Sequence, residues 1–164
     1  MKRVLFTFVF LSALITGCKS PIEEEKTANG KDNWLKGNDF EKFDVVAKQL
    51  RGFDMTMVET GYRYQELYWA GKDQNWEYAN YQIQKIKKTI ANGLQRRPKR
   101  GESAQHFLNV SLPEIERVIN TKDTLNFNNS FRTLTNACNN CHTKENVSFF
   151  AVKTPIYRPS PIRK

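Results

Sequence analysis

Residues 123–144 read DTLNFNNSFRTLTNACNNCHTK. Phe127, Phe131, Leu134, Cys138 and Cys141 recur there at steps of four, three, four and three, the spacing that aligns side chains on one face of an α-helix. Asp123 stands where an N-cap would satisfy the first free backbone N–H groups. The stretch predicts a helix whose buried face carries two cysteines near its end, with His142 directly after the second.

Three more helical segments lie upstream. Phe43, Val46, Leu50, Phe53, Met57, Gly61, Tyr64 and Tyr68 mark one face of one long helix or two abutting ones. Gly52 and Gly61 weaken it by up to about 1 kcal/mol each, and Gly71 is expected to stop it. Asp73 or Asn75 caps a second helix, along which Trp76, Ala79, Ile83, Ile86, Ile90 and Leu94 repeat the pattern until Gly93–Pro98 ends it. The third carries Pro113 in its middle, where Ser111 and Glu114 form a capping box that restarts the helix around Leu112, Ile115, Val118 and Ile119. No segment shows strand alternation of comparable length. Four amphipathic helices with short connections predict an all-α fold, an antiparallel four-helix bundle over residues 40–150. Residues 151–164 hold three prolines and are expected to lie extended on the surface rather than form a fifth helix.

The N-terminus has a different character. Residues 1–17, MKRVLFTFVFLSALITG, combine a basic start with an apolar run too short to span a bilayer, the pattern of an export signal. The junction ITGC resembles the bacterial lipobox, which implies cleavage before Cys18 and lipid attachment to its sulfur. Residues 18–39 are polar and Asn/Gly-rich, a tether; about 20 such residues give a coil of roughly 25 Å end to end. The acidic triplet Glu23–Glu25 is read as part of that solvated linker.

The chain has three cysteines, and the pair at 138 and 141 needs its own explanation. C-x-x-C-H offers two thiols to form thioethers with the vinyl groups of a c-type haem, and an imidazole to reach the iron. A thioredoxin-like pair would sit at the start of a helix after a strand, whereas CNNCH lies near a helix end. A zinc site needs a fourth ligand, and the other histidine, His106, is remote in sequence. A disulfide between such close neighbours would close a loop too small to stabilise much. Export favours haem, since haem c is attached on the far side of the bacterial membrane.

A single CNNCH near the C-terminal end of a four-helix bundle resembles the cytochrome c prime and cytochrome c-556 group. The span from about Gly52 to Ile162, with ELYWAGKDQNWEYANYQI and TNACNNCH, also resembles a branch of that group. The resemblance implies the bundle fold, one covalent haem c on Cys138 and Cys141, and His142 as proximal iron ligand. It further implies that two copies often pair.

Members of the group either leave the sixth iron position open or fill it with a methionine of the first helix. With helices one and four antiparallel, His142 lies roughly 27 to 29 Å and Met57 roughly 20 Å from their shared end, a gap of about a porphyrin width. Met57 belongs to the apolar face, and Met55 points about 200° away, so Met57 is the candidate sixth ligand. Gly61, one turn on, leaves room for a macrocycle. Ordinary core packing by Met57 is the competing explanation. His106, in the polar context SAQHFLN, is a weaker ligand candidate.

The chain carries 26 Lys and Arg against 17 Asp and Glu, and stays basic without Lys2 and Arg3. Lys85, Lys87, Lys88, Arg96, Arg97, Lys99 and Arg100 fall in a stretch without acidic residues. Cations at a helix C-terminus complement its dipole. Antiparallel packing would also place them around the haem edge, where they would steer an acidic redox partner. Export and lipidation argue against nucleic acid. Tyr62, Tyr64, Tyr68, Trp69, Trp76, Tyr78 and Tyr81 form a dense aromatic set, and those on the inner helix faces are expected to wall the pocket. With two histidines and no assembled Ser/His/Asp or carboxylate pair, acid–base catalysis is not expected. The expectation is a membrane-anchored monohaem electron carrier, periplasm-facing or on the outer membrane. Its rivals are a five-coordinate gas-binding haem protein and a haem-free thiol-redox or metal-binding lipoprotein.

Overall fold

The computed structural model describes residues 27–162. The leader, Cys18 and Glu23–Glu25 lie outside the described residues. The chain divides after Gln49 into two compact units.

In the first unit, β1 (Thr27–Asn29) pairs antiparallel with β2 (Leu35–Gly37), with Ala28 opposite Lys36. Gly30 and Gly37 adopt φ of 82° and 105°, values that side chains with a Cβ avoid. They allow a hairpin inside a stretch whose polar composition predicts an unstructured tether. Helix α1 (Asp39–Gln49) follows. Its start is a reciprocal capping box: Glu41 N–H donates to Asn38 Oδ1 at 2.9 Å, and Asn38 N–H to Glu41 Oε2 at 2.8 Å.

The second unit begins with α2 (Phe53–Lys72) and α3 (Trp76–Arg96). Of the two alternatives the apolar periodicity left open, one long helix or two, the structure has two, α1 and α2. Arg51 takes a left-handed φ of 58°, and the Asp54 carboxylate binds both the Gly52 N–H (3.0 Å) and the Arg51 guanidinium (2.5 Å). That local network ends one helix and starts another. Phe43, Val46 and Leu50, read as the opening of the buried face, are exposed. Gly71 does not stop α2, which runs through it to Lys72.

Asn75 caps α3 by accepting from the Tyr78 N–H at 3.3 Å. The α2–α3 hairpin is antiparallel. Tyr78 donates to the buried Glu66 at 2.8 Å, Arg63 reaches Gln82 at 3.4 Å, and Arg96 donates to Thr56 at 3.0 Å.

A short 3-10 turn at Pro98–Arg100 leads into α4 (Gly101–His106), which continues through a π-helical turn (Phe107–Ser111) into α5 (Leu112–Asn120). Here the expected capping box is absent. Pro113 has no N–H to give, and a π turn inserted before it lets the helix pass without ending. The Leu112 N–H accordingly bonds back to the Phe107 carbonyl. Ser111 makes no cap bond and is buried, its hydroxyl 3.4 Å from His106 Nδ1.

Thr121–Asp123 turn the chain into α6 (Thr124–Lys144), and Asp123 accepts from the Asn126 N–H at 3.0 Å. The core is aliphatic and aromatic: Leu67, Ile83, Ile86, Leu112, Ile115, Ile119, Phe127, Phe131 and Leu134 are buried, each worth roughly 1.5–3 kcal/mol of transfer free energy. The molecule is thus mostly helical, as expected. Among the described residues no helix is long and apolar enough to cross a membrane.

The tail runs extended. Val152 is held by the Asn139 side chain. Arg158 donates to Asp73 Oδ1 at 2.7 Å and to the Trp69 carbonyl at 3.4 Å, with its guanidinium carbon 4.8 Å from the Trp69 ring centroid. It forms a strap from the end of α6 to the end of α2.

Candidate functional site

The last two turns of α6 present Cys138, Cys141 and His142, and both thiols are free. The helix ends in a way that matters for the histidine. Asn146 sits at φ 59°, its N–H bonds the Thr143 carbonyl at 3.1 Å, and the Val147 N–H bonds the His142 carbonyl at 2.9 Å. This pair of bonds is a Schellman closure with Asn in the left-handed position. It reverses the chain so that, after a turn closed by Phe150 N–H to Val147 O at 2.9 Å, the Phe150 carbonyl lies 2.6 Å from His142 Nδ1. A carbonyl only accepts, so Nδ1 carries the hydrogen and the Nε2 lone pair is left for a ligand.

Both cysteines are partly buried. Burial, with a smaller contribution from neighbouring Cys141, pushes the Cys138 thiol up to about 12. Cys141 Sγ lies 3.8 Å from Ser103 Oγ, at the edge of a polar cluster in which Ser103 and Arg100 both bind the Glu145 carboxylate. Arg100 also stacks its guanidinium 5.6 Å from the Phe53 ring centroid. The start of α2, the start of α4 and the end of α6 therefore meet at one end of the unit.

Beside Cys138 stands an aromatic wall. Tyr64 and Tyr68 flank Phe131 with ring centroids 4.7 and 4.9 Å away. The Tyr64 hydroxyl lies 2.7 Å from Thr135 Oγ1 and donates to the Lys153 carbonyl at 3.3 Å. Burial raises the Tyr64 phenol to about 12 against the opposing Thr135 hydrogen bond. Trp76 packs edge-on to Phe127 at 5.9 Å. Tyr62 and Tyr81 are exposed instead.

Met57 is partly buried against the core, and Met55 is exposed. Helices α2 and α6 run antiparallel, with Gly71 against Phe127 and Tyr64 against Thr135. Two further turns of that register bring Met57 to the level of Cys141 and His142. A Cβ on Gly61 would meet nothing within 4 Å.

The basic residues divide. Arg96 and Arg100 lie at the cysteine-bearing end, bonded to Thr56 and Glu145, and Arg97 donates to the Arg96 carbonyl at 2.8 Å. Lys88 and Lys99 are exposed. Lys87 pairs with Glu116 of α5, and Lys85 lies 5.1 Å over the Tyr81 ring, further back along α3. His106 is exposed at the end of α4. Among the described residues no group of three or more His, Cys, Asp and Glu side chains converges as a metal site. A cavity of about 330 Å³ opens between α2 and α3, lined by Met55, Val58, Tyr62, Thr89 and Arg96 among others, and does not include the cysteines.

Sequence reasoning missed the Phe150 carbonyl, because a backbone group has no signature of its own. It also missed Asn139 as a holder of the tail, although an amide inside the C-x-x-C-H motif was a visible signal. Comparison with protein-family models, with characterised proteins and with solved structures finds no match.

Two reduced thiols one turn apart and an imidazole with Nε2 available are a donor set that fits covalent attachment and axial ligation of haem. The carbonyl behind Nδ1 would supply the outer hydrogen bond that metal-ligating histidines ordinarily have.

Proposed function

We propose that the chain is a monohaem c-type cytochrome that transfers single electrons outside the cytoplasm, anchored to a membrane through lipidated Cys18. Its helical unit is an antiparallel four-helix bundle of α2, α3, α4–α5 and α6, a reading supported by the short connections and the antiparallel contacts of α2 with α3 and α6. The observation that carries the proposal is the 2.6 Å contact from His142 Nδ1 to the Phe150 carbonyl, directly after two free thiols.

In this proposal Cys138 and Cys141 anchor the haem, and His142 Nε2 holds the iron. The group supplies a one-electron couple whose potential depends on axial ligands, hydrogen bonding and burial. The chain's residues do the rest. Phe150 orients the ligand ring, and the Tyr64–Tyr68–Phe131 wall keeps water from the Cys138 side. Met57, at the level of His142, is the candidate sixth ligand, and the open space over Gly61 leaves room beside it. Arg96, Arg97, Lys99 and Arg100 form a basic rim suited to an acidic partner, in an encounter that weakens as salt screens it.

The test is expression of the exported chain in a strain competent in cytochrome maturation. A haem stain that survives denaturation and a mass equal to polypeptide plus acyl groups plus one haem are expected. Colourless protein of polypeptide-plus-lipid mass refutes the proposal and favours a haem-free thiol or metal-binding lipoprotein. Ferrous protein that takes up carbon monoxide without losing a protein ligand would reassign it to gas binding.

A further inference from the structure

The tail strap is tied to the motif itself. Asn139, the first residue between the two cysteines, grips Val152 with both ends of its amide. Its Nδ2 donates to the Val152 carbonyl at 2.9 Å, and its Oδ1 accepts from the Val152 N–H at 2.7 Å. The paired bonds mimic one rung of a β-ladder and fix both position and direction of the strap. Val152 is only two residues beyond Phe150, whose carbonyl holds His142 Nδ1. Asn139 and His142 lie three residues apart on α6, hence on neighbouring positions of one helical face. The motif thus holds the segment that in turn holds its histidine. Further along, Tyr64 bonds the Lys153 carbonyl and Arg158 bonds Asp73, so the strap is anchored at intervals and the Asn139 clamp is the anchor nearest the imidazole.

We propose that Asn139 is a positioning residue: by clamping Val152 it holds the Phe150 carbonyl on His142 Nδ1, which fixes the imidazole as the Nδ1–H tautomer and presents Nε2 as the ligand atom. The inference deepens the cytochrome proposal and rests on it for its functional meaning. The physical reason is entropic. Residues 147–152 have no ladder or helix of their own beyond one turn, and a single carbonyl–imidazole bond is weak against the freedom of that many backbone units. Two further bonds two residues away remove most of that freedom in advance. The other intervening residue, Asn140, is exposed and is the built-in control.

The experiment compares the full chain with Asn139→Ala, Val152→Pro and Asn140→Ala, made in a strain without cytochrome maturation. Val152→Pro cuts the same clamp from the strap side by removing the donated N–H, in an extended segment that already holds prolines, so a folding defect in the helix variant does not decide the matter. Nitrogen-15 spectra of His142 at a pH where the ring is neutral should show one dominant Nδ1–H tautomer in the parent and in Asn140→Ala. Asn139→Ala and Val152→Pro should give a mixture enriched in Nε2–H. Folded clamp variants that keep the parent tautomer, or a parent that is itself Nε2–H, overturn the inference. In haem-bearing protein from a maturation-competent strain the clamp variants should show a raised reduction potential, since an imidazole that loses the Phe150 carbonyl is less electron-rich and stabilises the ferric iron less; an unchanged potential would show that the clamp does not hold that carbonyl on the ring and overturns the inference. Absence of haem from all four proteins when they are made instead in a strain competent in cytochrome maturation would count against the cytochrome proposal while leaving the tautomer result to judge the clamp.

Discussion

Gly71 lies so close beneath the Phe127 ring that a Cβ on it would overlap the ring carbons. Phe127 is buried at 1% exposure and touches Phe131 and Trp76, so it has little room to retreat. Gly71→Ala gains up to about 1 kcal/mol of helix propensity and incurs an overpacking cost of roughly 1–3 kcal/mol. The cost wins. A net loss of up to about 2 kcal/mol, seen as a lower urea midpoint with an unchanged slope, is expected; unchanged or higher stability would mean that Phe127 can move aside.

Alkaline pH should loosen the contact between α2 and α6 through Tyr64. Its phenol is raised from 10.0 to about 12 in the folded chain, chiefly by burial. The folded state therefore binds the proton more tightly than the unfolded state. This contribution is fully present below pH 10 and is lost as pH rises towards 12. Tyr64→Phe should remove that step from the stability–pH curve at a cost near neutrality of about 1 kcal/mol, since Thr135 keeps its bond to the Phe131 carbonyl at 2.8 Å. Chemical denaturation from pH 8 to 12 measures both.

Cys138 should be slow towards alkylating reagents in haem-free, reduced protein. With its thiol near 12, it is almost entirely protonated at pH 8, whereas an unfolded cysteine is partly thiolate. Higher intrinsic nucleophilicity offsets part of this. Labelling of Cys138 roughly 10- to 100-fold slower in the folded chain than in urea is expected, read by peptide mass analysis. Equal rates would show that the thiol is not sheltered.

Met57→Ala and Met55→Ala separate the two methionines of α2. Under the proposed His/Met ligation, Met57→Ala should convert low-spin haem spectra to high-spin and open the iron to carbon monoxide. Met55→Ala, on the exposed face, should leave them unchanged. If Met57→Ala alters neither oxidation state's spectrum, and low-spin character is absent throughout, Met57 is a core side chain only.

The amphipathic segments of the second unit were legible because a helix pattern is local. Periodicity at three and four residues located α3 and α6, and the caps at Asn75 and Asp123 formed as their side chains predict. Misreadings arose where a neighbour decided the outcome. Phe43, Val46 and Leu50 continue the phase of Phe53 and Met57, but the Asp54–Arg51–Gly52 network breaks the helix between them. Gly71 looks like a terminator and is in fact a contact surface for Phe127. Ser111 and Glu114 spell a capping box, yet the π turn before Pro113 leaves no helix start to cap.

At the site, the sequence by itself determined the donor set: Cys138, Cys141 and His142 are one turn of one helix, and their relative placement follows from backbone geometry that neighbours hardly change. Only the tertiary structure decided what stands behind the imidazole and how deeply each thiol is buried. Those properties depend on where the Schellman closure throws the chain, on the strap that Asn139 catches, and on α2 side chains far away in sequence, none of which a local pattern encodes.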